Sequence, residues 1–156
     1  MHLRLGRAHL LSVEDIAQLD GRLLVVFDGH CGLCNGTVRW LLRRNQRDRL
    51  RFVASEAPVA AELLARSGLA GSEQDTIVVV RGAETAMPQA LTRSAAVVAL
   101  LAELPRPWPF WAGILRTLPR ALRDLGYRLI ARVRYRIWGR LASCPIPTTE
   151  ERRHFL

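Results

Sequence analysis

At 156 residues and 49% apolar, the chain suits one compact domain with a buried core, which excludes a disordered polypeptide. Its three cysteines are too few and too oddly numbered for a disulfide-stapled secreted scaffold. The formal net charge of +9 comes from arginine with no lysine, and it is concentrated: residues 106–140 hold 9 Arg against the single acid Asp124, while residues 1–105 hold 12 Arg and 11 acids.

The first residues contain no long apolar run, and Glu14, Asp15 and Asp20 follow, which is unlike a cleaved signal peptide. No apolar stretch approaches the roughly 18 residues of a spanning helix. The expected location is the cytoplasm, where a CxxC pair is kept reduced between turnovers. Residues 13–20 predict a short helix with Ser12 as its N-cap and Asp15 three residues on. "RLLVVF" (22–27) is a continuous β-branched and aromatic run, the pattern of a strand buried on both faces. Gly29 to Gly36 supplies a turn and a helix start, and "NGTVRWLLRRN" continues with Val38, Leu41 and Leu42 inward and Arg39, Arg43 and Arg44 outward.

"LRFVAS" (50–55) reads as a second strand, and "APVAAELLARSG" as a helix with Pro58 in its first turn and Gly68 at its C-cap. "DTIVVVRGAETA" (75–86) reads as a strand, a turn at Arg81-Gly82 and a short return strand. "TRSAAVVALLAEL" (92–104) is a helix ended by Pro105 and Pro107. The order β-α-β-α-β-β-α predicts an α/β fold: a thioredoxin-like mixed sheet flanked by helices, with a right-handed crossover and an antiparallel edge.

The expected division is a thioredoxin-like domain with an N-terminal lead-in over 1–105 and an arginine-rich helical extension packed on it over 106–156. In the extension "WPFWAGILRTLP" is partly helical, and a helix of about six turns follows. Leu122, Leu125, Leu129, Ile130, Val133, Ile137 and Leu141 give it one apolar face, expected to pack on the sheet. Arg120, Asp124, Arg128, Arg132, Arg136 and Arg140 form an i+4 row on another side. A second reading has the extension lie on anionic lipid, with Trp108, Phe110, Trp111 and Trp138 as anchors. A third has it dock an acidic protein partner. Nucleic acid is the less favoured partner, since no recognised binding motif accompanies the basic stripe.

Cys31 and Cys34 carry the chemistry. Residues i and i+3 share a helix face, so this pair can close a small disulfide ring without rearranging the backbone. Cys31 would sit among unpaired N–H groups at the positive helix end, which favours the nucleophilic thiolate. Cys34, one turn in, is expected to be more buried and to act second. Asp28, three residues before Cys31, fits a proton relay for the Cys34 thiol or a cap of the turn. His30 reads as exposed loop or a partner of the thiolate, and Gly32 as keeping the approach to Cys31 open. Two other readings remain for the pair: half of a zinc site, completed from Cys144, His30 or His154, or two small structural residues. Cys144 reads as a semi-buried small residue or a regulatory thiol, and Tyr127 and Tyr135 as packing groups.

"FDGHCGLCNGTVRWLLRR" resembles the opening of the DCC family of thiol-disulfide oxidoreductases, whose hallmark is an Asp followed by a CxxC, here Asp28, Cys31 and Cys34. The likeness continues through "DTIVVV", "TRSAAVVALL" and "YRLIARVRYRIWGR". It implies a thioredoxin-like fold and exchange with a protein or small-molecule thiol or disulfide. One departure is that the place before the third strand, where thioredoxins carry a cis-proline, holds "SEQDT". The reading is a thiol-disulfide oxidoreductase needing no metal or organic cofactor, with Cys31 as nucleophile, Cys34 as resolving thiol and Asp28 as proton relay or positioning group. The alternative is a non-enzymatic binding module whose CxxC is structural or zinc-bound.

Overall fold

The computed structural model describes residues 12–69, 77–142 and 147–156. Within them the chain runs α1 (Val13–Leu19), β1 (Leu23–Phe27), α2 (Gly32–Arg44), β2 (Leu50–Ala54), α3 (Pro58–Arg66), β3 (Val78–Arg81), β4 (Gln89–Thr92), α4 (Arg93–Glu103), α5 (Trp108–Thr117) and α6 (Arg120–Trp138), and closes on a short 3₁₀ turn, Glu151–His154. The sheet order is β2-β1-β3-β4, with β1 parallel to β2 and antiparallel to β3, and β4 antiparallel to β3. This mixed four-stranded α/β sheet has the expected thioredoxin-like form.

β1 is central because every one of its side chains is apolar and buried. Its alternation feeds two cores: Leu23, Val25 and Phe27 join Val38 and Leu41 of α2 and Ala96 and Leu100 of α4, while Leu24 and Val26 join Leu63 of α3 and Leu19 of α1. Both faces are covered, as a β-branched run without polar alternation requires. Truncating a side chain such as Phe52 or Leu41 to Ala in such a core costs about 2–5 kcal/mol. The capping box at Ser12 and Asp15 forms, and Pro58 opens α3, both as read from the sequence.

Two sequence expectations are corrected. The return strand does not follow Gly82 directly: a turn from Gly82 to Thr85 comes first, and β4 begins at Gln89. The strand itself, "QALT", has no fully buried residue, so it carries no periodic signal. More consequentially, the apolar stripe of α6 does not pack on the sheet. Leu122, Leu125, Leu129, Ile130 and Ile137 are each more than half exposed. The side of α6 turned toward α4 and α2 carries Arg123, Asp124, Tyr127, Ala131, Arg134 and Tyr135 instead.

Polar contacts hold that side in place. Thr92 caps α4 without a side-chain hydrogen bond, and Asp124 from α6 supplies the missing acceptor, taking the Ser94 N–H at 3.3 Å and the Ser94 hydroxyl. Over β1 and β2 Phe155 packs between Phe27 and Phe52, and the Leu156 N–H donates to the Phe52 carbonyl at 3.0 Å. The C-terminus thereby covers the free edge of β2.

Candidate active site

The CxxC lies where β1 hands over to α2. Asp28 follows the strand and closes a tight turn twice: its Oδ1 accepts the His30 N–H at 2.9 Å, and its carbonyl accepts the Cys31 N–H at 3.3 Å. Asn35 fastens the same turn from the helix, donating to the carbonyls of Gly29 (2.7 Å) and Cys31 (3.0 Å). Cys31 is then the N-cap of α2, and its Sγ accepts the Cys34 N–H at 3.3 Å. Both sulfurs are free thiols, with no disulfide between them.

The environment differs from the sequence expectation in four ways. Cys31 is fully buried (0% exposed) and Cys34 nearly so (3%), so the first cysteine is no more accessible than the second. The cause is the segment after α6. Gly139 to Leu141 runs antiparallel to His30–Gly32: the Gly32 N–H donates to the Gly139 carbonyl (3.3 Å), the Leu141 N–H to the His30 carbonyl (2.7 Å), and Cys31 pairs with Arg140. Gly32 therefore does not leave the approach to Cys31 open. It leaves room for this strap, since a Cβ there would stand 2.3 Å from the Trp138 carbonyl oxygen.

His30 is likewise engaged, with Nδ1 3.3 Å from the Leu141 carbonyl and Nε2 3.5 Å from Glu56 Oε1. Tyr135 is more than a packing group. Its hydroxyl donates to Asp28 Oδ2 at 2.7 Å and accepts from Arg134 Nη2 at 3.0 Å. Arg134 is buried to 5% exposure, and the Arg140 guanidinium stacks on the Tyr135 ring from outside at 4.4 Å. Asp28 thus serves as the turn's cap and as the acceptor of a half-buried Tyr135 hydroxyl backed by the buried Arg134. Sequence reading took Tyr135 for a packing group and gave Arg134 no role, because neither lies on the apolar stripe. The spacing Asp124, Tyr127, Ala131, Arg134–Tyr135 is a helical stripe in its own right.

The surroundings act strongly on the Cys34 thiol. Burial, and then the adjacent Cys31, push the Cys34 thiol well above the ordinary thiol range, while the Arg134 guanidinium pulls it down. Burial acts to lower the pKa of Arg134, but Tyr135 and the two cysteines outweigh it and hold the guanidinium above its usual value. Burial and the hydrogen bond to Asp28 raise the Tyr135 phenol, so Tyr135 stays a proton donor toward the carboxylate. A cavity of about 540 Å³ opens beside this chain, lined by Asp28, His30, Ser55, Glu56, Tyr135 and Arg140 among others. The strap residues Arg140 and Leu141 form part of its wall.

The other candidate residues are not gathered here. His154 lies against Asn45, Asp48 and Arg51 at the far end of β2. Cys144 and residues Asp75 and Thr76, at the place of the thioredoxin cis-proline, lie outside the described residues. Among the described residues no group of three or more His, Cys, Asp or Glu side chains is arranged to hold a metal ion.

A Cys31 sulfur capped by a helix N–H, a buried Cys34 thiol and a carboxylate chained to a buried cation make a dithiol site of the thioredoxin-like class. Comparison with known proteins gives the particular family. The chain matches the family model described as DCC1-like thiol-disulfide oxidoreductase over residues 25–140, most of its length, and it belongs to that family. It is 30% identical over 139 residues to the "Uncharacterized protein YuxK" of Bacillus subtilis, covering 89% of this chain and 96% of that one. It is 32% identical over 127 residues to "DCC family protein At1g52590, chloroplastic" of Arabidopsis thaliana, covering 81% and 71%. No solved structure gives a significant match. Because one relative is named as chloroplastic, family membership does not by itself assign the expected cytoplasmic location. Among the described residues no helix is long and apolar enough to cross a membrane.

Proposed function

We infer that the protein exchanges a dithiol for a disulfide with a protein or small-molecule partner, through a mixed disulfide on Cys31. The observation that carries this reading is the capped Cys31 at the start of α2, with the Cys34 N–H on its sulfur, in a chain of this family. In the reducing direction the Cys31 thiolate attacks one sulfur of the partner disulfide, and the other partner sulfur leaves as a thiolate that takes up a proton. Cys34 is held as a thiol by its burial and, next, by the Cys31 sulfur beside it. Once Cys31 is in the mixed disulfide that influence is gone, and the Cys34 proton passes toward Asp28. The Cys34 sulfur then attacks Cys31, releasing the reduced partner and leaving a Cys31–Cys34 disulfide. Two electrons have moved from the pair to the partner, and a donor dithiol restores them.

Tyr135 orients the Asp28 carboxylate, and Arg134 stabilises negative charge on the sulfurs as they change roles. Residues 1–105 carry the exchange site, and 106–156 supply both this pair and the strap. Access to Cys31 requires the strap at Gly139–Leu141 to lift, because the sulfur has no exposed surface beneath it.

The test is redox titration of the purified protein with metal analysis. A reversible two-electron Cys31–Cys34 couple is expected, and Cys34→Ser should accumulate mixed disulfides in cells through Cys31. Stoichiometric zinc with no reversible disulfide would overturn the reading in favour of a binding module.

A further inference from the structure

The outward face of α6 is apolar, which is the reverse of what a surface helix needs in water. Leu122, Leu125, Leu129 and Ile137 run along it, and α5 adds Phe110, 66% exposed. A groove of about 320 Å³ between α4, α5 and α6, lined chiefly by apolar side chains, continues the same surface. Contiguous apolar surface of this kind marks an interaction site.

Charge identifies the occupant. Arg128, Arg132 and Arg136 are exposed and stand in an i+4 row immediately beside the leucine stripe. The single acid of residues 106–140, Asp124, is turned away and engaged with Ser94 and Arg120. A second copy of the chain would bring two segments of balance +8 together, each with 9 Arg and one acid. An anionic bilayer offers what the face lacks: hydrocarbon for the leucines, and headgroup charge at the depth of the arginines, whose stems reach along apolar surface. Trp111 and Trp138, both about half exposed, suit the boundary between the two. α6 is 19 residues long and lies along the surface of the fold rather than projecting from it. It would therefore rest in the plane of the interface.

We propose that the α5–α6 face is a docking surface for anionic lipid bilayer, holding the protein as a peripheral membrane protein. The seating is independent of thiol chemistry, so it is measured without it. The full-length protein is floated with vesicles of phosphatidylcholine containing phosphatidylglycerol, and with phosphatidylcholine alone. Partition onto the anionic vesicles should be roughly tenfold or more higher and should fall with added salt. The double variant Leu125→Glu, Leu129→Glu should lose binding with an unchanged melting temperature, since both side chains are exposed. Arg128→Glu with Arg132→Glu should lose the preference for anionic vesicles. Equal partition onto both vesicle types overturns the proposal, as does retention of binding in the leucine variant. A dimer in solution that Leu125→Glu, Leu129→Glu dissociates would assign the stripe to a second copy and also overturn it.

Discussion

Replacing Arg134 with Gln removes the neighbour that pulls the Cys34 thiol down, while burial and Cys31, which push it up, remain. Less of Cys34 is then thiolate at any given pH, so the resolving step slows and its pH–rate curve moves to higher pH. One pKa unit corresponds to about tenfold in thiolate fraction, and a loss of roughly that size at neutral pH is expected in single-turnover release of a mixed disulfide. Arg134→Lys should recover part of it; an unshifted pH profile in the Gln variant would remove Arg134 from the chemistry. Tyr135→Phe tests the next link. It leaves Asp28 Oδ2 without its 2.7 Å donor in a buried site, which should cost about 1–3 kcal/mol in chemical denaturation. In the sequence Tyr135 reads only as a packing group, and Arg134 carries no signal of its own. What draws Tyr135 inward, with the buried Arg134 beside it, is the Asp28 carboxylate 107 residues away, a long-range contact that no local pattern encodes.

Elements differ in how much of their placement a local pattern carries. β1 was legible because five consecutive apolar residues have only one comfortable setting, a strand buried on both faces. The start of α2 was legible because the CxxC follows that strand through glycine-rich turn residues. For α6 the periodicity correctly gave a helix with an apolar stripe, but a stripe does not say what it faces. The packed side was decided by Asp124 capping α4 and by Tyr135 reaching Asp28. The strap after α6 had no signal except Gly32 itself. Gly32→Ala places a Cβ 2.3 Å from the Trp138 carbonyl oxygen, so the strap has to shift. Alkylation of Cys31 should then accelerate by about tenfold or more, and stability should fall by about 1–3 kcal/mol. Labelling at the unaltered rate would mean that the strap does not limit access.

Across the whole molecule, Asp48 joins parts of the chain that are far apart in sequence. It follows α2, accepts from Arg51 on β2 at 2.7 and 3.1 Å, accepts from Arg22 ahead of β1 at 3.1 Å, and lies 3.4 Å from His154 in the C-terminal turn. The Arg51 guanidinium, chiefly, holds the Asp48 carboxyl down from 3.8 to about 2. A carboxyl depressed on folding contributes stability that is present above its unfolded value and is lost as pH falls from there through about 2. The side chain is 47% exposed, so solvent screening reduces the contribution to about 1 kcal/mol. His154 acts in the same direction at higher pH. Burial first, and then Arg51, hold its pKa below 6.5, so folding disfavours the protonated ring and stability declines as pH drops below that value. In Asp48→Asn the carboxylate can no longer raise the His154 ring, so the decline that begins below 6.5 should extend to lower pH. The lower window should be absent from the variant, so it is what the difference between the two proteins contains. Urea denaturation of both from pH 7 to pH 2 checks this: the variant should be about 1 kcal/mol less stable at pH 7, and the two curves should converge near pH 2. A gap that stayed constant down to pH 2 would mean that Asp48 stabilises the fold through shape and neutral hydrogen bonds alone, and that the arginines around it contribute no charge-dependent term.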